Sequence, residues 1–143
     1  MAKYKVAGNI VVRIDASAGG ALTAITAYVE SIDAVGRAYE GLDTTQFGDA
    51  AERVFPGIEL GQEFGMRGKF DDAATTGPDA IFNTAVGTLL TFEYNPIGTA
   101  SGRRKFTTEV MVLTYQVGAE VKGMVEYEVR LKQDGTMTVG TNA

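Results

Sequence analysis

Apolar and polar residues alternate along much of the chain, a spacing that turns one face of a strand to a core and the other to water. The stretch "IELGQEFGMRGKF" places Ile58, Leu60, Phe64, Met66 and Phe70 on one side, and Glu59, Gly61, Glu63, Gly65, Arg67 and Lys69 on the other. "GMVEYEVRLKQ" sets Val125, Tyr127, Val129 and Leu131 against Met124, Glu126, Glu128, Arg130 and Lys132. "KFTTEVMVLTYQV" is apolar on both sides for much of its length, with Glu109 as its one acid. It reads as a central strand, covered on both sides or placed in an interface. "NIVVRID" and "LLTFEY" predict shorter strands. Asp134–Gly135 predicts a tight turn between a strand ending near Lys132 and a last one at Thr136–Val139, since both turn residues tolerate positive φ.

One helix is signalled, over about 78–86 in "TTGPDAIFNTAVGT". Pro78 suits a first helical position, Asp79 the first turn, and Gly87 a place just past the end. Ile81 with Ala85, and Phe82 with Val86, form an apolar stripe that must pack on a sheet, because so short a helix does not stand alone in water. "ALTAITAYVESID" carries both a helical spacing and strand-forming residues, and reads as a turn leading into a strand that continues toward Tyr39. The small polar ends predict mobile N- and C-terminal arms. Strands, one helix and more strands predict an α+β, mainly β fold: an antiparallel sandwich or barrel-forming subunit with one short flanking helix.

Composition narrows the function. The 143 residues predict a single domain, 1–143, with ordinary globular proportions of 45% hydrophobic and 22% charged residues. No apolar run approaches the roughly 18 residues of a membrane helix, so no membrane partner is expected. "MAKYKVAGNIVVRID" lacks the apolar region and cleavage site of a signal peptide, which predicts synthesis in the cytoplasm. The chain has no Cys, His or Trp. That removes disulfides, thiolate nucleophiles, Cys-based zinc sites and every His-dependent triad, so neither an enzyme nor a cofactor is expected.

Charge is uneven. The net charge is −5, and the span from Asp15 to Glu63 holds nine acids against Arg37 and Arg53. This is either a solubilising surface or one that repels polyanions; it is the wrong sign for gripping nucleic acid.

Three local patterns invite chemistry. "GMRGKF" fails as a phosphate loop, with Glu63 where the first Gly belongs and Phe70 where Ser or Thr belongs. Asp71 and Asp72 are neighbours on an extended chain, pointing to opposite faces, and read as a strand end. Arg103, Arg104 and Lys105 sit in a Gly/Ser-rich loop without interleaved aromatics, so they read as a solvated tip or as a contact to an acidic patch on a neighbouring subunit. Phe47 and Phe55 flank the charged piece "GDAAERV" and are either core residues or interface anchors.

The order of these motifs resembles the major tail tube proteins of long, non-contractile-tailed bacteriophages. The resemblance spans nearly the whole chain and is most specific in "DTTQFGD…PG", "GKFDD", "NPIGTASGRR" and "KQDGTMTVGT". It implies a subunit assembling into stacked hexameric rings, with strands lining a channel through which DNA passes without specific binding. It implies a virion tail location and partners such as the tape measure and terminator proteins. By position it makes Leu42–Gly57 the ring-stacking loop, with Phe47, Asp49, Arg53, Phe55 and Pro56 at the contact. The acids on wet strand faces, Glu59, Glu63, Glu109, Glu126 and Glu128, become lumen candidates, and Arg103, Arg104 and Lys105 an inter-subunit basic loop. The rival readings are a tube protein of a contractile tail or secretion system, and a small carbohydrate- or peptide-binding β-sandwich module. The missing Trp and 9% aromatic content weigh against the latter.

Overall fold

The computed structural model describes residues 10–15, 21–72, 77–119, 121 and 123–143. The early strands are β1 (Val11–Asp15), β2 (Leu22–Ala24), β3 (Ser31–Ile32), β4 (Ala38–Asp43), β5 (Val54–Leu60) and β6 (Glu63–Lys69). The short helix α1 (Pro78–Phe82) follows, then β7 (Leu89–Asn95), β8 (Arg104–Gly118) and β9 (Glu126–Thr141). Among the described residues, seven strands form one sheet in the order β2–β1–β7–β8–β9–β6–β3, and β4 pairs only with β5. Every pairing is antiparallel. The mainly β class read from the sequence is the one observed.

The sheet curls until its ends nearly meet. Its two edge strands, β2 and β3, are joined by residues 25–30 alone, which include a 3-10 turn at Thr26–Tyr28. Phe64 on β6 and Phe92 on β7 stand with β8 and β9 between them, yet their rings lie 5.0 Å apart across the interior. The core is this concave side: Val12, Ile14, Phe64, Met66, Leu90, Phe92, Val110, Val112, Tyr127, Val129 and Leu131 are all buried. These are the inward positions of period-two strands, as the alternation predicts. The Tyr127 hydroxyl donates to the Tyr28 carbonyl at 2.7 Å and ties β9 to the connection that closes the curl. Burial pushes the Tyr127 pKa up from its ordinary value of 10.0. The folded protein therefore holds this proton where the unfolded chain releases it, and stability falls as pH rises from about 10. Tyr127→Phe is expected to cost about 1 kcal/mol in urea unfolding at neutral pH and to weaken that alkaline loss.

Helix α1 covers one end of the core. Pro78, Ile81 and Phe82 are buried, and the Phe82 ring lies 6.1 Å from Tyr115 and 6.4 Å from Tyr127. The Tyr115 hydroxyl donates to Asp79 Oδ1 at 3.2 Å. The helix stops at Phe82 rather than at 86, and turns carry the chain to β7. Ala85 stays buried, whereas Val86 is exposed, so the expected stripe is only partly formed. Among the described residues no helix is long and apolar enough to cross a membrane.

Three sequence expectations give way and a fourth is narrowed. The continuous alternation from Ile58 to Phe70 is broken at Gly61–Gln62: β5 leaves for its own hairpin, with Ile58 and Leu60 exposed, while Phe64 and Met66 enter the core. Asp134–Gly135 makes no hairpin, because β9 runs on past it beside β8. The register shifts from Thr107 opposite Thr138 to Glu109 opposite Asp134, so Thr108 faces Gly135, Thr136 and Met137 in a bulge. Gly135 supplies the positive φ, 75°, that such a bulge needs as much as a turn does. Strand β8 is central, fourth of seven, as expected; of its two alternatives, cover on both sides within the subunit is excluded, since Met111 and Leu113 are exposed. "ALTAITAYVESID" yields two short strands around the 3-10 turn, and the strand reaching Tyr39 is a separate one.

The expected N-terminal arm falls on residues 1–9, outside those described. The C-terminus is paired through Asn142, whose N–H donates to the Arg103 carbonyl and whose carbonyl accepts from Gly102, each at 2.8 Å.

Candidate functional site

The expected loop at Leu42–Gly57 is mostly a hairpin. Leu42 pairs with Phe55 and Asp43 with Val54, leaving 44–53 as the tip. Pro56 sits opposite Gly41 on β5, a strand with a partner on one side only, where a missing N–H costs no ladder bond. The tip is organised by its polar side chains. Thr45 N–H donates to Asp43 Oδ1 at 2.9 Å, Gln46 N–H to Asp49 Oδ2 at 2.8 Å, and Arg53 N–H to Thr45 Oγ1 at 2.8 Å. The first bond favours the charged Asp43 carboxylate and lowers its pKa. Arg53 Nε lies 3.2 Å from Asp49 Oδ1. Asp49 and Arg53, expected at the contact, thus hold each other and shape the loop.

The apolar side chains point outward. Phe47 is fully exposed, Phe55 is 62% exposed and Ile58 70% exposed, and Tyr39, Leu42, Val54 and Leu60 are exposed with them. A lone two-stranded hairpin is marginal in water, and this one leaves apolar side chains uncovered on both of its faces. Of the two readings of Phe47 and Phe55, the core one is excluded.

The wet-face acids divide. Glu63, Glu126 and Glu128 share the outer side of β6 and β9 with cations in an ion-pair ladder. Arg130 reaches Glu63 at 3.0 Å and Asp33 at 3.9 Å; Arg67 reaches Glu128 at 3.6 Å; Lys69 pairs with Glu126 and with Glu30 at 3.6 Å. The hydrogen bond with Lys69 lowers the Glu126 pKa and raises that of Lys69. Glu109 accepts from Thr91 Oγ1 at 2.6 Å. Glu59 does not join this face: it turns toward β9, where its Oε1 accepts from the Met137 N–H at 3.4 Å. Arg104 and Lys105 open β8 opposite Thr141 and Gly140, while Arg103 sits in the preceding turn.

One polar group escaped the sequence reading. Glu93, buried on β7, lies 3.4 Å from Arg13 Nη1 and accepts from Asn95 Nδ2 at 2.9 Å, and Asn95 Oδ1 in turn accepts from Asn142 at 3.0 Å. Glu93 and Asn95 share one face of β7, but Arg13 reaches them through the pairing of β1 with β7 and Asn142 from the end of β9, so local sequence carries no sign of the cluster. Among the described residues no group of three or more acids is placed to hold a metal ion.

No protein-family model matches the chain, and no curated protein matches it in sequence. Solved structures do. The chain aligns with the tail of an empty gene transfer agent particle, refined in six-fold symmetry, at a TM-score of 0.70 and 14% identity, covering 96% of this chain and 100% of the other. This is the fold of tail tubes. The SPP1 tail tube aligns at 0.67 with 14% identity, over 96% of this chain and 80% of that one. The sheath–tube complex of an extracellular contractile injection system aligns at 0.66 with 9% identity, over 97% and 93%. The tail-tube fold is thus shared by assemblies with few residues in common, and site roles rest on this chain's own geometry.

Proposed function

We propose that this chain is a structural, non-enzymatic tail-tube subunit that self-assembles into stacked hexameric rings enclosing a conduit for DNA. The observation that carries this reading is the projecting hairpin, whose tip is ordered by Asp43, Thr45, Asp49 and Arg53 while Phe47 and Phe55 face outward uncovered. A fold shared with tail tubes supplies a partner for it: another copy of the chain. The subunit is a single tail-tube domain, 1–143, made in the host cytoplasm and ending in the virion tail. Its other partners are tail proteins such as the tape measure and terminator. Negative-stain microscopy of the purified protein tests this, with rings or tubes expected; persistent monomers at high concentration favour a small ligand-binding module instead. The match to the contractile system favours one further reading, a tube enclosed by a sheath.

The ladder on β6 and β9 is the wall of the conduit in this reading, and Glu109 lies further along β8, opposite Asp134. Five acids, Glu30, Asp33, Glu63, Glu126 and Glu128, pair with three cations, and Lys132 stands opposite Glu63, so acids still outnumber cations and the wall does not hold phosphates. Changing Glu63, Glu109, Glu126 and Glu128 to Gln leaves Arg67, Lys69 and Arg130 without most of their partners. Exposed ion pairs contribute little to folding, so tubes are expected to form normally. DNA ejection from particles built with the variant is expected to slow and to recover partly in high salt. Ejection at the unaltered rate would contradict the assignment of this face to the lumen.

A further inference from the structure

The bulge in β9 reaches the hairpin. With Gly135, Thr136 and Met137 all facing Thr108, β8 does not take up all their backbone groups, and the Met137 N–H goes to Glu59 of the hairpin instead. The junction of hairpin and sheet is held at the same place. Gln133 N–H donates to the Gln62 carbonyl at 2.8 Å, and within the bulge Gln133 Nε2 donates to the Gly135 carbonyl at 2.9 Å. Gly61 lies so close to β9 that a Cβ on it would stand 2.7 Å from the Gln133 carbonyl.

We propose that this bulge is a socket for the hairpin, with Glu59 as the positioning residue that fixes the direction in which Phe47 and Phe55 meet a second copy of the chain. Among the described residues the hairpin pairs with no strand of the main sheet, so without the socket it swings about its connections. A docking element held in one direction loses less freedom on binding, which is how a contact remote from the interface strengthens assembly. The assembly role rests on the tube reading; the latch itself belongs to the single subunit.

Two measurements separate these. Amide hydrogen exchange on the unassembled subunit reads the latch, and the critical concentration for tube formation reads its consequence. In E59A the Met137 amide is expected to exchange about tenfold faster, with Phe92 on β7 unchanged. The critical concentration rises about tenfold, and the melting temperature moves by less than about 3 °C. E59Q keeps an acceptor oxygen and stays within about twofold of wild type in both measurements. Gly61→Ala pushes the junction off the Gln133 carbonyl and gives the same losses by a separate route. Wild-type protection of Met137 in E59A overturns the latch. Lost protection with an unchanged critical concentration overturns the positioning role. If the unaltered protein forms no tubes while Met137 depends on Glu59 for protection, the latch stands and the tube reading falls.

Discussion

Changing Phe47 and Phe55 together to Ala is expected to abolish tubes while leaving the subunit folded. Both rings are exposed in the single chain, Phe47 fully and Phe55 at 62%, so truncation opens no cavity and removes no contact with the core. The melting temperature is expected to move by less than about 3 °C. In an assembly the same rings are the largest apolar groups at the hairpin tip, and truncating central aromatic anchors costs on the order of 2 kcal/mol or more each. A tube multiplies that cost over every subunit, so the effect is loss of assembly rather than mild weakening. Sedimentation and microscopy on the variant check it. Normal tubes from the double variant would remove the hairpin tip from the stacking contact.

The opposite outcome is expected one hairpin away. Phe64 and Phe92 are fully buried and touch across the curled sheet with ring centroids 5.0 Å apart. Phe64→Ala or Phe92→Ala is expected to cost about 3–5 kcal/mol, against a total of about 5–15 kcal/mol for an ordinary domain. Because the two rings share one contact, the double variant is expected to lose less than the sum, by about 0.5–1.5 kcal/mol. Urea unfolding of the three variants measures this. Strict additivity would mean that the strands on either side of β8 and β9 do not pack on each other, and so that the sheet is open rather than curled.

The contrast between these two pairs shows what the sequence reveals and what it hides. Phe64, Met66, Tyr127, Val129 and Leu131 were readable as core because a strand with one wet face imposes a period of two on its residues. The same rule misled at Ile58 and Leu60, which keep phase with Phe64 and Met66 but lie beyond the break at Gly61–Gln62, on a strand with no core to face. Periodicity reports a local face; it does not say which sheet that face belongs to. Asp134–Gly135 shows a second limit. Positive φ at Gly135 serves a hairpin turn and a bulge alike, and the course of β8 beside it decides between them. Glu59 reads as a wet-face acid by alternation, and only the bulge, where Met137 lies 78 positions later, draws it away.

The hairpin itself was legible as a connector but not as strands. Its tip is polar and charged, and its flanks carry apolar residues on both faces, so no alternation marks it. What identified the region was its motif order. What the structure adds is an inversion: polar groups turned in to hold the loop, and aromatic groups turned out.

The central claim is that this inverted hairpin joins one copy of the chain to the next. A cryo-electron microscopy reconstruction of the purified, assembled protein tests it most directly. The expected result is a hollow tube of stacked six-membered rings, with each hairpin laid against the neighbouring ring and Phe47 and Phe55 buried there. An assembly in which both rings still face solvent, or a protein that remains monomeric at high concentration, would contradict it.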